Sequence, residues 1–377
     1  MDICLVNDSF KMGGVERVVI ELANSFQENN NNVTLIDFSG DYKFYYNVND
    51  EINRPDIIKP RIIKRKMIGK ILKLKCQVTK QKINVYDFFR EQARDLIEYL
   101  KINNHDILIL CQGILTALIP LIKKEIPNIK IIAWQHNEYD IYINNYYKEI
   151  ITDYLMGINK ADLVVCLTEE DSKKFRKLNN NTCYIYNPLT ISYNKQRVSN
   201  LNNNNIIFVG RLNIEQKGLD YLIEIGEKLK NGWRILVAGD GPDKQILVKM
   251  IRKKNLEDKV ILKGSLKSEE LVELYSSGSI FISTSRWEGF GLVITEAMAF
   301  GLPVISFNNH GPQEILKDGE FGVLIERNNL KDFLCRLSEL IDDSGKREFY
   351  QKKSLERVKD FRKEIIFNEW NSKLKCL

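Results

Sequence analysis

No run of apolar residues in this 377-residue chain approaches the ~20 needed to cross a bilayer. The opening, Met1-Asp2-Ile3-Cys4-Leu5-Val6, is acidic where a secretory signal is basic, so the chain is expected to be made and kept in the cytosol. Histidines number only three and lie far apart, and no Asp-X-Asp pair occurs. None of the seven cysteines is spaced Cys-X-X-Cys. These gaps argue against a metal cage and against a disulfide framework. Most cysteines sit in apolar runs such as Leu108-Ile109-Leu110-Cys111, where buried reduced thiols are the simplest reading. Aromatic-interleaved nucleic-acid motifs are missing too, so no nucleic-acid partner is expected.

What is present is alternation. A first train of strand and helix patterns begins at Asp2–Val6, with strands expected at 106–111, 129–134, 162–167 and 183–186. A second begins at Ile206-Ile207-Phe208-Val209, with strands near 233–238, 259–263, 279–284, 303–307 and 322–325. Continuous apolar strands separated by periodic helices imply parallel sheets covered on both faces. The expected fold class is therefore α/β, with two Rossmann-like doubly wound domains facing a cleft. The domains are expected at 1–190 and 206–355, joined by a polar, asparagine-rich linker at 191–205. A final helix, 356–377, is expected to return to the first domain.

The net charge of +6 is small but concentrated, since residues 59–82 hold ten basic side chains and no acidic one. Ile63, Met67, Ile71 and Leu74 recur there at helical spacing, flanked by Lys64, Arg65, Lys66, Lys70 and Lys73. An apolar stripe ringed by cations is the pattern of a helix lying on an anionic membrane, although an ordinary packed helix gives the same stripe. A peripheral position on the inner face of the cell membrane is expected.

Chemistry concentrates in the second half. Glu288-Gly289-Phe290-Gly291-Leu292-Val293-Ile294-Thr295-Glu296 follows an apolar strand and opens a helix. Its glycines permit a sharp turn and close backbone approach, and the helix start offers unpaired N–H groups to a phosphate. Gly210-Arg211-Leu212 and Lys217-Gly218 form a second strand-to-helix junction, whose two cations can converge on a diphosphate. Val237-Ala238-Gly239-Asp240-Gly241 imitates a dinucleotide fingerprint, but Lys244 replaces the third glycine and the strand is not the first of its domain. A dehydrogenase is therefore disfavoured.

Glu288-X7-Glu296, Gly210-Arg211-Leu212 with Lys217-Gly218, Gly239-Asp240-Gly241-Pro242 and an amino-terminal Gly13-Gly14 together resemble family 4 of the retaining glycosyltransferases, of GT-B fold. The resemblance implies transfer of a hexose or N-acetylhexosamine from a nucleotide sugar, most often UDP-linked, to a glycan or lipid-linked acceptor in surface-polysaccharide synthesis. It implies that Arg211 and Lys217 hold the diphosphate and Glu296 the ribose. Glu288, Phe290, Gly291 and Leu292 would face the sugar and phosphates, and the base would rest near Gly264 and Leu266. In the first domain Gly13 and Gly14 would approach the β-phosphate, and His136, after Trp134-Gln135, would meet the donor hexose. No cofactor and no metal are implied. Two other readings fit a fold of this kind: a silent glycan-binding subunit, which usually loses the charged groups kept here, and a nucleotide-sugar epimerase or sugar phosphorylase.

Overall fold

Twelve strands, all paired in parallel, make up two six-stranded sheets among the described residues of the computed structural model, which are 1–59, 67, 84–191 and 197–377. The first sheet contains β1 (Asp2–Asn7), β2 (Asn32–Asp37), β3 (Ile107–Cys111), β4 (Lys130–Trp134), β5 (Leu163–Cys166) and β6 (Thr182–Tyr184), in the order β2-β1-β3-β4-β5-β6. The second contains β7 (Asn205–Val209), β8 (Arg234–Ala238), β9 (Val260–Gly264), β10 (Ile280–Ser283), β11 (Val304–Phe307) and β12 (Val323–Ile325), in the order β12-β11-β10-β7-β8-β9. Both are Rossmann-like, as the alternation predicts. No helix among the described residues is long and apolar enough to cross a membrane.

The strands form where both faces can be covered. Ile3, Cys4, Leu5 and Val6 are fully buried, as are Ile280, Phe281 and Ile282. The helix Gly14–Glu28 buries Val18, Leu22 and Phe26 at four-residue intervals, with Val19 and Ala23 beside them. That spacing is one stripe of a 3.6-residue helix, laid on the sheet. One strand escapes the sequence reading. Asn32–Asp37 follows a run of asparagines and carries Thr34 in its middle, yet it pairs along its whole length with β1 (Ile3 opposite Val33, Leu5 opposite Leu35). Tertiary pairing supplies what the short apolar run lacks.

Contacts divide the chain into two units, Met1–Pro188 with Lys363–Leu377, and Leu189–Arg362. The terminal helix Lys363–Leu374 thus belongs to the first unit. Its buried Ile366, Phe367, Trp370 and Leu374 fall at helical spacing. Phe367 and Trp370 meet Phe26 edge-on, at centroid separations of 5.8 and 6.5 Å, and Trp370 meets Trp134 at 4.8 Å. In the segment that composition suggests as an exposed linker, the described residues alternate: Ile191, Ser199, Leu201 and Asn205 are buried, whereas Arg197, Asn200, Asn202, Asn203 and Asn204 are exposed. Ser199 donates to Gly278 O, and its N–H bonds Phe300 O at 2.9 Å. A polar sequence is tolerated inside because its polar atoms find backbone partners. Cys4, Cys111 and Cys166, in the apolar strands, are buried free thiols, Cys183 is half-buried, and Cys335 and Cys376 are exposed.

Candidate functional site

Strand order reverses between β7 and β10, so their carboxyl ends flank the crevice where open parallel sheets bind ligands. β7 runs directly into Gly210-Arg211-Leu212, and β10 into Thr284–Gly291. The Gly239-Asp240-Gly241 loop after β8 supports the first of these turns. A Cβ on Gly239 (φ +143°) would lie 1.9 Å from Gly210 O, and one on Gly241 would lie 2.4 Å from Leu212 O. Leu212 N–H bonds Asp240 O at 2.9 Å, and Ile214 N–H bonds the Asp243 carboxylate at 2.8 Å. These glycines let two backbones touch, which aims the Arg211 turn. Arg211 itself is exposed and has no ion-pair partner among the described residues.

Lys217 ends the short helix Ile214–Lys217, capped by Asn213 and stopped by Gly218 at φ +61°. Its ammonium forms an ion pair with Glu288, both side chains being about one-seventh exposed (13% and 15%). Ser285 Oγ lies 3.4 Å from the same carboxylate oxygen. Two residues predicted from separate motifs are thus brought into direct contact. Gly291, at φ +105°, opens the helix Leu292–Ala299, in which Glu296 is buried. Each Glu296 oxygen takes a hydroxyl donor, Thr190 Oγ1 at 2.7 Å and Tyr275 OH at 3.0 Å. Phe290 turns inward and packs edge-on against Phe361 at 5.8 Å, leaving its backbone as the part that could meet a ligand. Gly264 ends β9 at φ +72°, with no atom within 4 Å of a side chain built there, and Leu266 beyond it is half-buried.

In the first unit, Gly13 precedes the helix Gly14–Glu28 in extended backbone (φ −177°) that any residue adopts. The nearest atoms to a Cβ there belong to the flexible Glu16 carboxylate, and Gly14 is exposed. His136 follows β4, buried against Trp134 at a centroid distance of 4.3 Å, its backbone N–H donating to the Tyr142 hydroxyl at 3.1 Å. Its Nε2 is buried without a hydrogen-bond partner among the described residues. Burial lowers its pKa to about 3, so the ring is neutral at physiological pH. An unfolded histidine titrates near 6.5, above the folded value. The contribution to stability is therefore complete above pH ~6.5 and falls by ~1.4 kcal/mol per unit as pH drops towards 3. Denaturant titrations between pH 6.5 and 4.5 should show a shallower loss for His136→Gln than for the parent; parallel curves would contradict a buried neutral ring. Lys64, Arg65, Lys66, Lys70 and Lys73 lie outside the described residues.

Residues 191–357 match the family described as Glycosyl transferases group 1, and residues 12–192 match Glycosyltransferase Family 4. The chain is a glycosyltransferase of GT-B type. A glycosyltransferase of Haemophilus influenzae, itself uncharacterised, is 29% identical over 366 residues, 95% of either chain. The crystal structure of HepE from Anabaena in complex with UDP-glucose superposes with a TM-score of 0.75 at 18% identity, covering 100% of this chain and 99% of that one. The lipopolysaccharide outer core galactosyltransferase WaaB gives 0.71 at 20% identity, with 98% of each chain covered.

Within this glycosyltransferase, three residues escape sequence reasoning. Thr190 and Tyr275 lie 106 and 21 positions from Glu296, and no local pattern connects them to it. Arg286, inside the Ser285–Glu288 turn, braces that turn against the Lys217 junction. Its guanidinium is bidentate to Asp220 (3.0 and 2.5 Å) and lies 4.3 Å over the Tyr221 ring. It also donates to Ile214 O at 3.0 Å, while its own N–H bonds Gln216 O at 2.8 Å. A fork of donors held in this way fixes two loops relative to each other. The only sequence signal was an arginine beside Glu-Gly-Phe-Gly.

Proposed function

We propose that this glycosyltransferase moves a hexose or N-acetylhexosamine from a UDP-sugar to a glycan or lipid-linked acceptor in surface-polysaccharide synthesis. In this reading the anomeric configuration is retained and no metal takes part. The observation that carries the proposal is the Lys217–Glu288 ion pair at the strand switch of the second sheet, beside the exposed Arg211 turn. Arriving diphosphate competes with Glu288 for Lys217, so donor binding draws the ammonium onto phosphate and frees the carboxylate. The freed carboxylate then faces the positive charge that develops at the anomeric carbon, a differential stabilisation of the transition state. Gly13 and Gly14 approach the β-phosphate, and His136 serves as a neutral hydrogen-bonding group for the donor hexose. Gly264 and Leu266 receive the base. Phe290, Gly291 and Leu292 offer backbone N–H groups to the phosphates. The UDP-glucose complex of HepE supports the choice of nucleotide. Incubation with a panel of nucleotide sugars, read by thermal shift and by hydrolysis, tests the proposal. Stabilisation and turnover with one UDP-sugar are expected, and indifference to every nucleotide sugar would sink it.

Glu296 is assigned to the ribose. Glu296→Gln should weaken the bare nucleoside diphosphate by ~3–10-fold, the size of one neutral hydrogen bond, whether or not a sugar is attached. Calorimetry with UDP measures this, and unchanged affinity would remove Glu296 from the nucleotide.

The basic segment at 59–82 is proposed to hold the enzyme on the inner face of the membrane. Each cation near an anionic surface adds ~1 kcal/mol, screened as salt rises. Replacing Lys64, Arg65, Lys66, Lys70 and Lys73 by Gln should release the protein from phosphatidylserine vesicles in a sedimentation assay while donor hydrolysis persists. Equal sedimentation would mean that the segment is ordinary packing.

A further inference from the structure

We propose that Thr190 and Tyr275 are positioning residues that aim the Glu296 carboxylate at a vicinal diol, and so make the site select a ribonucleotide over a 2′-deoxyribonucleotide. This rests on the assignment of Glu296 to the ribose above, and adds the two side chains that give that contact its selectivity. Glu296 sits in the helix Leu292–Ala299, which Gly291 opens at the strand switch between β7 and β10. Its side chain is buried, and a buried carboxylate left without donors would be costly. Thr190 Oγ1 donates to Oε1 at 2.7 Å, and Tyr275 OH donates to Oε2 at 3.0 Å. The terminal torsion of a glutamate is otherwise broad and roughly two-fold. One donor on each oxygen fixes it.

Both donors are themselves held. Tyr275 lies in the last turn of the helix Ser268–Ser276 and is fully buried. Its ring stacks on Phe300 at a centroid separation of 5.4 Å and an interplanar angle of 15°. Phe300 directly follows the helix that carries Glu296, so ring and carboxylate are packed together. Thr190 is anchored through its neighbour, because Leu189 N–H bonds Phe361 O at 2.7 Å. Phe361 in turn packs edge-on against Phe290, in the turn that opens the Glu296 helix. The carboxylate is thus oriented before a ligand arrives, which spares the ligand the cost of ordering it. A carboxylate accepts about four hydrogen bonds, two per oxygen, so each oxygen can keep its protein hydroxyl and accept a ligand hydroxyl as well. Two adjacent hydroxyls, such as the 2′ and 3′ groups of ribose, match that pair of oxygens. An ionised phosphate offers no such donors and is repelled by the charge. A 2′-deoxyribose leaves one oriented oxygen without its ligand hydroxyl, the case in which a polar site discriminates most.

Calorimetry with UDP and with 2′-deoxy-UDP separates positioning from structural support. The parent should bind UDP ~10-fold more tightly than 2′-deoxy-UDP, the lower end for a hydrogen bond to a charged group. Tyr275→Phe and Thr190→Val each delete one hydroxyl and keep the shape of the side chain. In either variant the preference should shrink to ~3-fold or less, with UDP weakened and 2′-deoxy-UDP within about two-fold of its parent affinity. Thr190→Ser, which keeps the hydroxyl, should keep the parent's preference. Purely structural hydroxyls predict that both nucleotides weaken together, with a lower melting temperature and an unchanged ratio, and that result would overturn the proposal. So would a parent that binds both nucleotides equally. A parent that binds neither fails at the UDP-sugar reading itself, before any variant is made, and takes the proposal with it.

Discussion

Glu288→Gln is expected to lower sugar transfer by ~10²–10³-fold, the range for removing one preorganised electrostatic group. Binding of bare UDP should stay the same or tighten slightly. The reason lies in the ion pair. In the resting protein Glu288 neutralises Lys217, and both side chains are largely shielded from water. A diphosphate must displace that carboxylate, and it meets residual repulsion from it. The neutral amide removes both penalties to nucleotide binding, and at the same time removes the negative charge that would face the anomeric carbon. Loss therefore falls on kcat and spares nucleotide affinity, the signature of a group that acts in the transition state. Calorimetry with UDP alongside single-turnover transfer separates the two quantities. A variant that lost UDP affinity in step with transfer would place Glu288 among the nucleotide ligands and end its assigned role.

Lys217→Ala should raise the donor KM and lower turnover together. A charge-assisted contact to the diphosphate contributes ~1.5–3 kcal/mol, or ~10–150-fold. Truncation also leaves the largely shielded Glu288 carboxylate without the Lys217 ammonium, next to the arriving phosphates. Arg211→Ala should produce a loss at the lower end of the same range, because Arg211 is exposed and its removal leaves no carboxylate behind. The two cations are thus distinguishable by a double-mutant cycle with Glu288→Gln. UDP should bind the Lys217→Ala, Glu288→Gln pair more tightly than Lys217→Ala alone, whereas adding Glu288→Gln to Arg211→Ala should add independently. Strict additivity in both cycles would show that the Lys217–Glu288 contact does not govern donor entry.

Much of this architecture is local information. Unbroken apolar runs such as Ile280-Phe281-Ile282 need cover on both faces and so dictate parallel strands between helices. Glycines at 218, 264 and 291 mark positive φ where the chain must turn at a strand or helix end. Arg211, Lys217 and Glu288 stand out in the sequence because each lies at such a junction, with charge in excess of what a turn requires, and Glu296 follows inside the helix that Gly291 opens.

The remainder depends on which distant segments meet. Asn32–Asp37 becomes a strand only by pairing with β1, and Thr190 becomes a buried donor only by reaching Glu296. Arg286 reads as surface charge until Asp220 and Tyr221 close around it. His136 could have been a titrating base by sequence; burial beside Trp134 makes it neutral. Periodicity and turn chemistry act over a few residues and leave their mark in the sequence, whereas desolvation, ion pairing and strain are set by neighbours that only the folded chain assembles.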